Sequence, residues 1–271
     1  MSNEITILGS GTSTGIPMLG CHCRVCESND PKNKRMRTSI HIKTPRNSIL
    51  IDTGPDLRAQ LLRNKIENID LTIITHDHAD HTHGIDDLRP LCFGPPVKEI
   101  PIYTTSECLC ALEVKFPYIF KAHEIFTKDR PALGGGIPLL SLNEIKAPAS
   151  SNIRGEAFEF LKLNHGYGHT LGIIHEKFAY IIDCHELTTD QLDLLEAKKL
   201  DLLIIDCVTD SPHKTHLSEN KAFEYIHKIL PKRAGLIHMN HALEHSELGK
   251  RAQEEFDFPV FPLYDSQRLK Y

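Results

Sequence analysis

The densest group of potential metal ligands in the sequence is a six-residue motif with three histidines and two aspartates. It reads His76-Asp77-His78-Ala79-Asp80-His81 and is separated only by Thr75 from the apolar run at 71–74. One tetrahedral ion cannot use so many ligands, but alternate side chains on a tight loop can face two neighbouring ions. Two adjacent divalent ions activate water near neutral pH and clamp substrate oxygens, which suits hydrolysis. The motif therefore predicts a two-metal hydrolytic centre.

Single potential ligands also follow three later apolar runs. His165 follows the run at 158–163, Asp183 follows the run at 180–182, and His238 follows the run at 235–237. Any one of them alone would be interpreted as an ordinary surface or core residue. Because each stands after a strand-like run, as the first motif does, together they indicate the remaining ligands of two ions.

Three cysteines form a second potential metal site. Cys21, Cys23 and Cys26 lie within six residues, after a glycine-rich turn at 9–17. Eight cysteines in 271 residues, crowded in this way, favour metal ligation over a secreted disulfide framework. Three thiolates can hold three corners of a structural zinc site, and His241, three residues after His238, is the best candidate for the fourth. The other cysteines lie in or beside apolar segments, which predicts buried thiols: Cys92, Cys108, Cys110, Cys184 and Cys207.

The order of the histidines and aspartates resembles the metallo-β-lactamase superfamily across nearly the whole chain. The resemblance is carried by His76-x-His78-x-Asp80-His81, with Ile51-Asp52-Thr53-Gly54 before it and His165, Asp183 and His238 after it. It implies a first catalytic metal held by His76, His78 and His165, and a second held by Asp80, His81 and His238, with Asp183 bridging them. It also implies that Asp52 supports the metal loop and that Tyr264-Asp265-Ser266 replaces a late Tyr-Asp-Gly. Zinc, manganese and iron all suit such ligands, and we expect two divalent ions, zinc or manganese.

The cysteine loop resembles one branch of that superfamily, the PhnP-like cyclic-phosphate phosphodiesterases. In that branch a Cys-x-Cys-x-x-Cys loop and a late histidine hold one structural zinc, which implies that role for Cys21, Cys23, Cys26 and His241. His216 matches a position near the leaving group, which implies a catalytic role. The expected reaction is in-line attack of a metal-activated hydroxide on phosphorus, with Asp80 and Asp183 fixing the water and His216 neutralising the departing oxygen. The expected substrates are small cyclic or diester phosphates.

Two other functions use the same ligand pattern. The first is processing of tRNA 3′ ends by a ribonuclease Z-like enzyme, although the sequence has no obvious long, basic, glycine-rich arm and the cysteine loop favours the other branch. The second is an iron-dependent oxidoreductase such as a sulfur dioxygenase, since iron accepts the same ligands. His169 and His123 are further candidates to line the pocket.

The elements that must position these residues are short β-branched runs alternating with segments of helical spacing. Strand-like runs occur at 5–8, 39–43, 48–51, 71–74, 158–163, 170–174, 178–182, 202–205 and 235–237. Helical spacing occurs at 55–64, 188–197, 218–230 and 244–255. This order predicts an α/β fold, an αββα sandwich of the metallo-β-lactamase type. We expect a single domain over 1–271, with a cysteine-rich zinc loop at 20–26 and an irregular insertion near 116–149, where prolines and Gly134-Gly135-Gly136 dominate.

Charge and hydropathy limit the partners. A formal net charge of -5 gives no general attraction to nucleic acid or to an anionic membrane. The stretch from Met1 to Leu8 contains Glu4 and no positively charged start, and no segment approaches about 18 uninterrupted apolar residues. We therefore expect a soluble cytoplasmic protein with a small-molecule phosphodiester substrate, and leave open whether it forms a homodimer.

Overall fold

Two seven-stranded sheets make up the centre of the computed structural model, which describes residues 3–132 and 136–271. Met1, Ser2, Leu133, Gly134 and Gly135 therefore lie outside the described residues. The first sheet contains β1 (Glu4–Gly9), β2 (Ser39–Lys43), β3 (Ser48–Ile51), β4 (Leu71–Ile73), β5 (Ile100–Thr104), β6 (Leu140–Glu144) and β14 (Arg268–Lys270). The second contains β7 (Ala149–Ile153), β8 (Glu156–His165), β9 (Gly168–His175), β10 (Phe178–Ile181), β11 (Leu202–Asp206), β12 (Ala234–Ile237) and β13 (Val260–Pro262).

Each sheet is antiparallel on one side and parallel on the other. The spatial order is β14-β1-β2-β3-β4-β5-β6 in the first sheet and β13-β12-β11-β10-β9-β8-β7 in the second. Strands β3 to β6 run parallel, as do β10 to β13. Parallel strands are covered on both faces and consist almost entirely of apolar residues, as in β11, where all five positions are buried. Their carboxyl ends meet at the same edge of each sheet, which is where ligands bind in such sheets.

Helices cover the outer face of both sheets. Those on the first half of the chain are α1 (Leu57–Asn64), α2 (Ala79–Thr82), α3 (Arg89–Phe93), α4 (Ser106–Lys115), α5 (Pro117–Phe120) and α6 (Ala122–Ile125). Those on the second half are α7 (Thr189–Ala197), α8 (Glu219–Ile229) and α9 (His245–Glu255). None of the described helices is long and apolar enough to cross a membrane.

Alternation along the strands divides the core into three apolar layers. Ile204 of β11 packs between the sheets with Phe160 and Ile173, whereas its neighbours Leu203 and Ile205 pack outward with the helices of the second half. A third cluster lies between the first sheet and its helices, and it includes Leu50, Leu57, Leu61, Ile102 and Leu112. This layering is the predicted αββα sandwich, which is confirmed.

The ends of the four predicted helices agree with the structure to within two residues. The predicted helices at 55–64, 188–197, 218–230 and 244–255 correspond to α1, α7, α8 and α9. Thr188 begins α7 with a capping box, in which its side chain accepts from the Gln191 amide and the Gln191 side chain bonds back. Ser218 begins α8 by accepting from the amide of Lys221 at 3.4 Å.

The prediction of an irregular insertion near 116–149 is corrected by the structure. This segment contains α5, α6 and β6, and β7 begins at its last residue. Pro117 occupies the first position of α5. A backbone N–H at this position would have no partner within the helix, so proline loses no hydrogen bond there. Strand β6 pairs in parallel with β5 over five residues and extends the first sheet by one strand. The prolines therefore mark element boundaries in part of this segment.

Candidate metal centre

The predicted ligands come together at the carboxyl ends of strands, between the two sheets. The motif beginning at His76 follows β4, and its last residues form α2. His165 ends β8, whereas Asp183 and His238 follow β10 and β12. Residues far apart in the sequence thus meet at one edge because the fold aligns the ends of these strands.

Three residues at these strand ends adopt a left-handed backbone conformation. Asp52 after β3 has φ 65°, Asp183 has φ 48° and His238 has φ 65°. Aspartate and histidine tolerate this region better than most residues other than glycine, yet each such position costs on the order of 1–3 kcal/mol. Six other non-glycine residues of the described chain share this conformation, but these three are the buried ones, where surrounding structure must hold the strained backbone in place.

The ligand atoms form overlapping groups around Asp183. One group is His76, His78 and His165, another is Asp80, His81 and His238, and within each group the atoms lie within 4.8 Å of one another. Asp183 Oδ2 lies 3.2 Å from His81 Nε2, and Asp183 Oδ1 lies 3.5 Å from His238 Nε2 and 3.9 Å from His165 Nε2. The structure therefore places Asp183 between the two groups, as a bridging ligand would lie.

Hydrogen bonds on the far ring nitrogen fix the tautomer of two histidines. His81 Nδ1 donates to Asp52 Oδ2 at 2.8 Å, and His165 Nδ1 donates to the carbonyl of Thr215 at 2.9 Å. A carboxylate and a carbonyl can only accept, so the proton of each neutral ring is on Nδ1. Nε2 of both rings then presents a lone pair to the centre, the arrangement that orients metal-ligating histidines.

Hydrogen bonds to threonine hydroxyls fix the tautomers of two further histidines in the same way. Thr38 Oγ1 donates its proton to the carbonyl of Gly11 at 2.8 Å, so it must accept from His238 Nδ1 at 2.9 Å. Thr75 Oγ1 donates to the Asp52 carboxylate, so it must accept from His76 Nδ1 at 3.1 Å. Both rings therefore also offer Nε2 to the centre.

Several fully buried atoms at the centre make no well-aligned hydrogen bond within the described residues, although His81 Nε2 and Asp183 Oδ2 lie 3.2 Å apart. They are His76 Nε2, His81 Nε2 and Asp183 Oδ2. Buried polar atoms without partners are costly, and a group of them converging on one place indicates a ligand that completes them. The donor set of imidazole nitrogens and carboxylate oxygens suits zinc, manganese or iron, so these residues fit divalent metal ions.

The electrostatics of the centre also favour a cation there. Burial and the neighbouring imidazoles hold the pKa of His76 well below its usual value, which keeps it neutral. Burial opposes the charged form of His81, yet Asp183 and Asp52 outweigh it and raise the pKa of His81 well above its usual value. Burial would also raise the pKa of Asp183, but His238 and His81 hold it well below its usual value. The carboxylates thus favour positive charge at His81 Nε2, which a proton supplies in the protein alone and a bound cation would supply in its place.

The three cysteines of the loop at 20–26 and His241 form a second cluster. The distances from His241 Nδ1 to the Sγ atoms of Cys21, Cys23 and Cys26 are 3.1, 3.5 and 3.9 Å, and none of these cysteines forms a disulfide. The Cys26 amide donates to Cys23 Sγ, and this contact, with smaller effects of Cys21, Cys26 and His241, lowers the pKa of Cys23 to about 6 despite desolvation. The thiolate is the metal-binding form, so this geometry fits a tetrahedral ion.

The segment after β12 ties this cysteine cluster to the metal centre. Met239, next to His238, donates its amide to the carbonyl of Ser10 at 3.0 Å. The buried guanidinium of Arg35 donates to the carbonyls of Asn240 at 3.0 Å and Leu243 at 2.7 Å. The main chain on both sides of His241 is therefore held in place.

His216 lies beside the metal centre and is paired with an aspartate that the sequence prediction missed. Its Nδ1 lies 3.3 Å from Asp206 Oδ2 and 3.5 Å from Asp183 Oδ1. Burial disfavours the charged ring, but the hydrogen bond and charge of Asp206 outweigh burial and raise the pKa of His216 to about 9. Asp206 ends the apolar strand β11, so it carries the same sequence signal as the predicted ligands.

A cavity of about 940 Å³ opens over the centre. Its walls include residues that the sequence did not identify: Glu107, Glu144, Lys146, Lys162 and Tyr167. His169 lines this cavity, as considered from the sequence, whereas His123 is an exposed residue of α6 outside it. Of the five cysteines predicted to be buried thiols, four are buried, but Cys110 is exposed on α4.

Comparison with known proteins identifies relatives of this arrangement. A family model described as a β-lactamase superfamily domain matches residues 47–239. A crystal structure of a new diphosphatase from the PhnP family is 29% identical and has a TM-score of 0.88, covering 100% of this chain and 98% of the other. Zn²⁺-bound PqqB from Methylobacterium extorquens, 16% identical with a TM-score of 0.78, shares the fold and covers 99% of this chain and 100% of its own.

A longer relative carries a different name. A protein of Porphyromonas gingivalis (strain ATCC BAA-308 / W83) named octanoyltransferase is 34% identical over 236 residues, which are 87% of this chain. The match spans only 45% of that protein. More than half of that relative therefore has no counterpart in this match.

Replacing Gly54 tests how the metal loop is held. A Cβ at Gly54 would lie 2.1 Å from the backbone oxygen of Asp80, so Gly54→Ala must displace the metal loop. We expect this variant to lose metal from the histidine–aspartate centre while keeping the metal of the cysteine cluster, as measured by elemental analysis of the folded protein.

The control for this prediction is Gly249→Ala in α9, where a Cβ would meet Pro262 at an ordinary 3.6 Å. This change should leave metal content unaltered, because it creates no clash and alanine favours a helix. Full metal content in Gly54→Ala would contradict the assigned packing of the loop.

Removing a ligand of the cysteine cluster tests its structural role. A structural metal contributes directly to the free energy of folding, so Cys23→Ser and His241→Ala should each lower the melting temperature and the bound zinc. Hydrolytic turnover at a permissive temperature should change less. Cys110→Ser, at an exposed position of α4, is the matched control and should change neither quantity. Unchanged melting and unchanged zinc in both ligand variants would show that these residues do not form a metal site.

Proposed function

Since this chain belongs to the β-lactamase superfamily, as a PhnP-like metallo-hydrolase, we propose that it is a dinuclear metal-dependent phosphodiesterase acting on small cyclic or diester phosphates. The observation that carries the proposal is the pair formed by His216 and Asp206 beside two groups of potential metal ligands. An acid next to a two-metal centre suits the departure of a poor leaving group such as an alkoxide. The diphosphatase of the PhnP family also cleaves a bond to phosphorus, which supports the same class of reaction.

The proposed ligand sets follow the two groups of the metal centre. His76, His78 and His165 would hold one ion, Asp80, His81 and His238 the other, and Asp183 would bridge them, with zinc or manganese as the proposed metals. Divalent ions bound there would polarise the phosphoryl oxygens and lower the pKa of water. Asp80 and Asp183 would accept hydrogen bonds from the attacking water and so hold it at the centre. A structural zinc is proposed for Cys21, Cys23, Cys26 and His241.

His216 is proposed as the general acid. Because its pKa is raised to about 9, its ring is protonated at neutral pH. The protonated ring can donate to the departing oxygen and so prevents charge from accumulating there. Asp206 accepts from Nδ1 and acts as a positioning residue, which holds the ring beside Asp183 and stabilises its charged form.

The alternatives lack comparable support. The outer wall of the cavity carries Glu107 and Glu144 as well as Lys146 and Lys162, so it offers no surplus of positive charge for a tRNA backbone. An iron oxygenase remains the alternative from another class, and metal analysis with an oxygen-uptake assay separates it from a hydrolase. The name octanoyltransferase belongs to a protein more than twice as long as the match, but it makes thioesters a necessary part of any substrate test.

A substrate screen tests the proposed function. The purified protein is reloaded with zinc or manganese and assayed on phosphodiesters, cyclic phosphates, diphosphates, thioesters and lactams. We expect turnover of the phosphate compounds, with dependence on the added metal. Activity on thioesters alone, or oxygen consumption without hydrolysis, would overturn the proposal.

Changing His216 tests its role as the acid. His216→Ala should lower turnover by roughly 10²- to 10⁴-fold, the usual contribution of a positioned acid, with metal content unchanged. The loss should be much smaller for nitrophenyl phosphodiesters, because a good leaving group needs little protonation. Asp206→Asn should show the same dependence on the leaving group with a smaller loss.

The control for both variants is His123→Ala, an exposed histidine outside the cavity, which should retain full turnover. A loss that is uniform across leaving groups would instead assign His216 to phosphate binding. No loss on any substrate would remove it from the reaction.

A further inference from the structure

Tyr167 is an exposed aromatic residue at the mouth of the cavity over the metal centre. Its relative exposure is 113%, so the ring packs against nothing in the protein, yet it lines the cavity. Burying an aromatic ring is favourable, and an uncovered ring beside a reaction centre is available to a ligand. Among the exposed large apolar and aromatic side chains of the described residues, Tyr167 is the one that lines this cavity.

Tyr167 lies in a tight turn that begins directly after His165. Gly166 and Tyr167 form the two-residue turn between β8 and β9, with His165 paired to Gly168 across it. Gly166 has φ 64°, which is typical of the first central position of a type II′ turn. The ring therefore stands one residue beyond the turn glycine and two residues beyond the metal ligand His165.

The turn also packs against the segment that carries the proposed acid. A Cβ at Gly166 would lie 2.8 Å from Thr215 Cγ2, and the carbonyl of Thr215 accepts from His165 Nδ1. Thr215 directly precedes His216. Tyr167 is therefore the neighbour of a turn glycine that contacts the segment carrying His216.

The size and polarity of the cavity indicate a substrate with a large second part. A cavity of about 940 Å³ is at the upper end of the range that holds drug-sized ligands, far more than a phosphate group needs. The wall formed by Thr105, Ser106 and Glu107 is polar, and Lys162 Nζ lies 3.8 Å from Glu107 Oε1. An aromatic ring and polar groups lining one cavity suit a planar ring attached to a hydroxyl-bearing sugar.

We propose that Tyr167 stacks on a planar ring carried by the substrate, so that the centre takes nucleotide-like phosphate compounds in preference to small aliphatic ones. The inference rests on the proposed phosphodiesterase function, whose substrate class it narrows. Base stacking on an aromatic side chain is sequence-tolerant, because every nucleobase has a π-face, and it is lost on truncation to alanine.

Binding of two phosphates that differ only in the base tests the proposal. The zinc-loaded protein is titrated by calorimetry with AMP and with ribose 5-phosphate. We expect AMP to bind roughly 5- to 150-fold more tightly, the range that corresponds to one stacked base. Tyr167→Ala should reduce AMP affinity to that of ribose 5-phosphate without changing the affinity for ribose 5-phosphate. Tyr167→Phe keeps the ring and should keep the preference.

The controls separate this inference from the proposed function. Tyr118→Ala, at a tyrosine outside the cavity, should leave both affinities unchanged. Equal binding of AMP and ribose 5-phosphate by the wild type, or an equal loss of both in Tyr167→Ala, would overturn the stacking role. The binding affinities are measured without turnover, so they test the stacking role of Tyr167. If no phosphate compound is turned over in the substrate screen, that result overturns the phosphodiesterase proposal and not the stacking role.

Discussion

The buried carboxylate of Asp183 is the group on which the metal centre depends. Its oxygens lie 3.2 to 3.9 Å from ring nitrogens of His81, His238 and His165, so it contacts both groups of ligands at once. A buried anion is stable only when positive charge or hydrogen-bond donors surround it. The surrounding fold must therefore bring several imidazoles to one carboxylate, and the left-handed turn at Asp183 is part of that arrangement.

Positioning these imidazoles requires both sheets. Asp52 from the end of β3 orients His81, Thr38 just before β2 orients His238, and Thr215 from the loop before α8 orients His165. The acceptors come from segments that are distant in sequence, and the sandwich brings them together at the ends of its strands. Loss of any one acceptor would free a ring to rotate or to change its tautomer, and outer partners of this kind commonly contribute 10- to 100-fold to metal affinity.

Much of this architecture could be predicted because the sequence signals are local. An apolar run followed by a histidine or aspartate marks a strand and the ligand at its end, and α7 and α8 begin at recognisable caps. Asp206 carries the same signal, but the sequence does not show that it contacts His216. The exposure of Tyr167 depends on which strands meet at the cavity, so nothing in Gly166-Tyr167-Gly168 distinguishes it from an ordinary turn. The segment at 116–149 was misjudged because a proline that begins a helix resembles one that interrupts it.

The segment after β12 contributes to both metal-ligand clusters, and this determines how they influence each other. His238 faces the metal centre and His241, three residues later, faces the cysteines, while the matched superfamily domain ends between them at residue 239. Strand β12 lies between β11 and the edge strand β13, which has only three residues. The sheet therefore does little on that side to restrain the end of β12. Arg35 and the cysteine cluster supply that restraint from outside the matched domain. The cysteine cluster and the histidine–aspartate centre are therefore joined by a link of two residues, Met239 and Asn240, whose main chain is held by Ser10 and Arg35.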